Sequence, residues 1–174
     1  MSDVDYDKFM PKPRSLRRRA EARLFDTTLA MVSNLSRGAL RGAVAPFLRA
    51  TAGLVRVYRR AGSEPLRGEA LGHEWQRLMP NPKLMPITSV EGDTAYGEIR
   101  VACPLRGTGD VRACHRLMSY DRALLEPAGA RFVVLESQAE PGVERCRVAM
   151  RPADQPADDL VHAHVRVESL LSRQ

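Results

Sequence analysis

Residues 87–103 read ITSVEGDTAYGEIRVAC. Two β-compatible runs flank Gly92-Asp93, a pair suited to a tight turn. The stretch predicts a hairpin whose second strand runs to Cys103. Ile99, Val101 and Cys103 then share one face, and Glu98, Arg100 and Ala102 the other. Downstream, RFVVLESQ (131–138) and VERCRVAMR (143–151) predict a second hairpin about Glu140-Pro141-Gly142. There Cys146, Val148 and Met150 share an apolar face, with Arg145, Arg147 and Arg151 opposite. Between the hairpins, 109–125 predicts a helix opened by Asp110 and closed by Pro127 and Gly129. Val111, Cys114, Met118, Asp121 and Leu125 form one continuous stripe along it. Hairpin, helix, hairpin is an antiparallel α+β layer.

Upstream, the period is helical. Helices are predicted over 15–35, 38–61 and 66–79, the last stopped by Pro80-Asn81-Pro82. On the second, Leu40, Val44, Phe47, Thr51, Val55 and Tyr58 form the expected apolar stripe. Arg41, Arg49, Arg56 and Arg60 lie elsewhere on its surface, and Pro46 marks a potential break. Residues 1–14 are polar, with Pro11 and Pro13, and are expected to be a disordered tail. The expected organisation is that tail, a basic helical segment over 15–64, and an α+β domain over 65–174 holding the cysteines, compact with 15–64. The expected fold class is α+β, with N-terminal helices packed on an antiparallel sheet of two β-hairpins flanking a central helix. Residues 152–159 read as a linker; 160–171 fits a strand or a helix.

The chain has 174 residues, enough to bury a core without disulfide or metal staples. Three cysteines without a CxxC pair argue against a secreted disulfide scaffold, a zinc ribbon or a thioredoxin-like site. The expected location is the cytoplasm. No apolar run is long enough for a transmembrane helix, and the N-terminus lacks the apolar region of a signal peptide. The net charge of +6 is uneven: residues 1–67 carry 14 of the 27 Lys+Arg but 6 of the 21 Asp+Glu. This basic third suits an anionic membrane surface or nucleic acid, although no nucleic-acid reader motif accompanies it. A solvated helix face is the competing reading.

Residues 103–125, CPLRGTGDVRACHRLMSYDRALL, hold the candidate chemistry. Strand parity and helical spacing point Cys103, Cys114, Cys146 and Asp121 into one layer between helix and sheet. A buried carboxylate must be paired, hydrogen-bonded or protonated. Asp121 is therefore either a core-edge residue that caps a loop amide or pairs with an arginine such as Arg100, or a general acid/base or substrate-amine anchor. Free cysteine is most often a small core hydrophobe.

The order Cys103, Cys114, Tyr120-Asp121, Gly142, Cys146 resembles the L-2-amino-thiazoline-4-carboxylic acid hydrolase family, over about residues 65–151. The resemblance implies hydrolysis of a cyclic amidine-like C–N bond. Such chemistry needs a nucleophile, an acid for the departing nitrogen and a cation for the substrate carboxylate. Cys114 or Cys103 would be the nucleophile and Asp121 the acid/base. Arg100, Arg106 or Arg116, with Tyr120, would hold the substrate. A metal-bound water is the alternative nucleophile, with Cys103, Cys114, Cys146 and His115 as candidate ligands of a divalent ion. His115 adjoins Cys114 and so points about 100° away on a helix, which makes it the weakest of the four.

Other motifs carry less. His73-Glu74 begins like HExxH but lacks the second histidine. Trp75 reads as core. His162 and His164 would share a face on a strand, as a metal pair or as solvated tail residues. Gly107–Asp110 reads as a loop and helix cap. The leading expectation is a small hydrolase-like enzyme opening a C–N bond of a small cyclic amidine or thiazoline-type molecule. A non-catalytic small-molecule or metal-binding module using the same Cys/Asp layer is the alternative. A basic interaction protein working through 15–60 is the second.

Overall fold

The computed structural model describes residues 16–173. The tail expected at 1–14 lies outside them. The order is α1 (Leu16–Arg37), α2 (Arg41–Tyr58), α3 (Gly68–Leu78), β1 (Ile87–Glu91), β2 (Thr94–Ile99), α4 (Val111–Leu117), α5 (Ser119–Leu125), β3 (Ala130–Glu136), β4 (Cys146–Pro152) and α6 (Ala163–Leu171). This is the expected α+β arrangement. The hairpins join through β2 and β4 into one antiparallel sheet of order β1-β2-β4-β3.

Alternation along the strands divides the sheet. Ala95, Ile99, Phe132, Val134, Cys146, Val148 and Met150 belong to the main core, which they share with residues of α3, α4 and α5. Val133 and Ala149 face the other way and are covered by Leu160, with Leu135, Tyr96 and Ala157 beside them. The core is completed by Leu71, Trp75 and Leu78 of α3 and by Leu124 and Leu125 of α5, all fully buried. Helix α3 approaches closely because β2 offers Gly97. A Cβ there would stand 3.1 Å from the Trp75 ring. Glycine thus makes room for the indole over the sheet.

The N-terminal helices sit on the far side of α4 and α5: α1 packs on α4 and α2, and α2 on α5 and α4. Helix α2 is unbroken at Pro46. Proline there, in the second turn of α2, forfeits one backbone bond without ending the helix. The face of α2 differs from the expected one. Val44, Ala52 and Arg56 are buried, whereas Leu40, Phe47 and Tyr58 are exposed with Leu54 and Val57. Arg56 turns inward because it has carbonyls to satisfy: it donates to Leu124 O, near the end of α5, and to Gly62 O. A charged donor at a helix C-terminus meets both the orphan carbonyl and the dipole.

Three further boundaries differ. β2 ends at Ile99, so Cys103 lies in a turn-rich segment and not on a strand. The predicted 109–125 helix is two short helices meeting at Met118. The ambiguous tail is helical from Ala163. No described helix is long and apolar enough to cross a membrane.

Candidate functional site

Asp110 starts α4: its carboxylate accepts from Ala113 N at 2.8 Å. That start sets the phase of α4, and with it the direction of Cys114 and His115. All five residues of the predicted stripe, Val111, Cys114, Met118, Asp121 and Leu125, are buried. Asp121 does not pair with Arg100. It accepts a hydrogen bond from the Trp75 indole N–H at 2.9 Å. Arg100 instead pairs with Glu98 at the sheet's edge, at 2.8 Å. Burial pushes the Asp121 carboxyl up to about 6, against the smaller downward pull of the Trp75 bond and of Arg122. Above that pH an anion is held in the core, so the arrangement costs stability.

The structure brings the three thiols together. Cys114 and Cys146 are hydrogen-bonded to each other, and Cys103 is near enough to feel both. All three are free. The Cys146 thiol donates to the Cys114 sulfur and Ser137 also hydrogen-bonds it, which holds Cys114 below the ordinary thiol range although burial acts oppositely. Cys146 moves well up, because its own thiolate would face the Cys114 sulfur in a buried place. Its sulfur accepts from Gln138 N at 3.3 Å. Burial pushes half-buried Cys103 up as well. Of the three, Cys114 is the sulfur the surroundings favour as thiolate.

The other predicted residues separate. Arg106 flanks Cys103, donating to Gln138 Oε1 and Glu144 O, each at 2.7 Å. Arg116 is committed to α1, donating to Ser36 O at 2.9 Å. Tyr120 is half-buried, and burial followed by the Asp121 charge raises its hydroxyl to about 12. His115 does not join the cysteines: it lies on the other side of α4 with His162 and His164. The candidate set Cys103, Cys114, Cys146 and His115 is thus split by the helical turn between adjacent residues. His162 and His164 are half-buried, not solvated tail residues, because α6 folds back on α4.

Sequence reading missed Trp75 as the partner of Asp121, and Gln138, which bridges Cys103 N, Ile99 O and Val101 O. It also missed Arg122, whose charge acts on Asp121, Cys114, His115 and His162 alike. Arg122 was legible in one respect, since it stands two helical turns after His115. Comparison with protein-family models, curated proteins and solved structures finds no match for this chain.

Proposed function

We propose that the chain is a small hydrolase-like enzyme that opens a C–N bond of a cyclic amidine or thiazoline-type molecule. One observation carries the reading: Cys114 and Asp121 are buried in one layer, Cys114 beside the Cys146 thiol and Asp121 bonded by the Trp75 indole N–H, surroundings that favour the Cys114 thiolate and the neutral Asp121 acid. A nucleophile and a general acid need that division, and environments that drive two titratable groups apart assign those roles. The Cys114 sulfur adds to the ring carbon between the two nitrogens, the ring C–N bond breaks, and the departing nitrogen takes the Asp121 proton. Water then cleaves the sulfur–carbon bond and returns a proton to the carboxylate. Arg106 is the anchor for a substrate carboxylate, since it stands beside Cys103. Both reacting groups are nearly inaccessible, at 2% and 7% exposure. Substrate entry therefore takes a local opening of this layer. The resemblance to the amino-thiazoline carboxylate hydrolase family supports the same substrate class.

The test is turnover of 2-amino-thiazoline-4-carboxylate and related cyclic amidines, followed as product heavier by one water. Turnover lost in both Cys114→Ser and Asp121→Asn, with helical content and melting cooperativity kept, is the expected result. Absence of turnover on the whole panel, or turnover surviving either change, overturns the reading.

A second reading rests on α2. Leu40, Phe47, Leu54, Val57 and Tyr58 are 54% to 86% exposed, with exposed Arg41 and Arg60 at the two ends of the same segment, whereas Arg49 is paired with Glu126. An apolar outer stripe edged by cations suits an anionic lipid surface better than nucleic acid. Co-flotation with phosphatidylserine vesicles, abolished by Leu54→Glu with Val57→Glu, is expected. Unchanged flotation of the double variant removes this reading.

A further inference from the structure

The outward side of α4 carries a cluster that the cysteine–aspartate reading does not use. His115 projects from the last turn of α4. His162 immediately precedes α6, and His164 lies in its first turn. One nitrogen from each ring lies within 4.8 Å of those of the other two. We propose that His115, His162 and His164 form a three-imidazole site for a divalent transition ion of the zinc class, with a fourth position left for water.

The geometry is close to what such an ion requires. Bonds of about 2.0–2.1 Å in a tetrahedral site put the ligand nitrogens about 3.4 Å apart. Mutual packing of the rings is the rival explanation: the His115 and His164 centroids are 3.9 Å apart. Packing leaves one fact unexplained. His162 Nδ1 is buried and finds no hydrogen-bond partner among the described residues. A buried, unpartnered nitrogen on a ring packed against two other imidazoles is what an ion would satisfy. An all-nitrogen set selects zinc-like ions over calcium or magnesium, and three protein ligands leave an open coordination position.

Arginines oppose a cation, Arg122 most directly, with Arg116 and Arg112 also acting on the rings. Arg122 Nη1 is 3.4 Å from His115 Nδ1, and Nη2 donates to His115 O at 2.7 Å. The ion displaces the first contact, while the second keeps the guanidinium attached to the end of α4. Glu168, whose charge reaches His115 and His164, offsets part of the repulsion. The site ties the start of α6 to α4. It also borders a cleft of about 310 Å³ lined by Arg122, Arg131, Phe132, Leu160 and His162, so its open position lies beside a place a small molecule can enter.

The experiment uses the full chain without a polyhistidine tag. Zn2+ and Co2+ are titrated at micromolar concentration and the Co2+ complex is read by absorption. One equivalent is expected, with a tetrahedral ligand-field spectrum lacking thiolate-to-cobalt charge transfer. His162→Ala and His164→Ala should each weaken binding at least tenfold, while His73→Ala, the remaining histidine, leaves it unchanged. Melting of the metal-free variants shows that they are folded. A thiolate charge-transfer band, failure to bind at micromolar concentration, or binding that survives both His162→Ala and His164→Ala overturns the site.

Discussion

Cys114 and His115 are neighbours in the chain, yet they serve regions with opposite physics. On the inner side of α4 and α5, Cys114, Cys146, Asp121 and Trp75 sit in a closed layer against the sheet. There each polar group is met by another, and ionising Asp121 is expensive. On the outer side, His115 meets His162 and His164 at a half-open seam with α6, where Arg112, Arg122 and Glu168 also reach. Adjacent positions on one helix thus lead to a place where desolvation raises a carboxyl and a place where desolvation, aided by neighbouring arginines, lowers imidazoles. A single short helix can therefore present two unrelated chemistries, provided one face is dry and the other wet.

The contrast should be plainest in Trp75. Trp75→Ala empties the inner layer and strips Asp121 of its donor, and is expected to cost about 3–5 kcal/mol in denaturant unfolding. His164→Ala, on the outer seam, should stay within about 1 kcal/mol in the metal-free protein. Equal costs would erase the distinction between the two sides.

Asp121→Asn sharpens it next. The folded carboxyl titrates at about 6 against an ordinary 3.8. The folded state thus holds its proton more tightly than the unfolded chain, and stability is lost as pH rises through that window. Asparagine still accepts the Trp75 bond without the anionic penalty. The variant is expected to be more stable than the parent by up to about 3 kcal/mol near pH 8, with no such gain below about pH 4. A loss of stability at both pH values would mean that burial does not govern this carboxyl.

The histidines should behave in the opposite sense. Burial holds folded His115 at about 3 and His162 at about 4, against an ordinary 6.5. Their contribution is present above about pH 6.5 and is lost as pH falls toward those values. Amides of α6 are expected to exchange faster, relative to those of β3 and β4, at about pH 5 than at about pH 7.5. Uniform behaviour across α6 and the sheet would count against a distinct outer seam.

The smallest expected effect concerns the residue both regions share. Arg122→Gln should tighten Zn2+ binding by about tenfold by removing a nearby positive charge, with the largest change at low salt. No change would place Arg122 outside the electrostatics of the seam.

The sequence by itself determined the elements and the inner stripe. Hairpins at 87–99 and 130–152 follow from alternation and turn residues, and the burial of Cys114, Met118 and Asp121 follows from helical spacing. These are local properties, written in periods of two and 3.6 residues. It also yielded Asp110 as the residue opening α4, because a cap needs only the next turn. Partners distant along the chain were decided by the tertiary structure. Trp75 reaches Asp121 with α3 lying close on the sheet, an approach that Gly72 on the helix and Gly97 on β2 both make room for. Which side of α2 is buried depended on its packing against α5, where Val44 and Ala52 face the core and Arg56 reaches the carbonyls of Leu124 and Gly62. His115 and the His162/His164 pair are separated by more than forty residues. No periodicity links them, and they meet because α6 packs back on α4. Pairing across such distances depends on which faces remain to be covered once the sheet and its helices have assembled, and that is a property of the packed molecule.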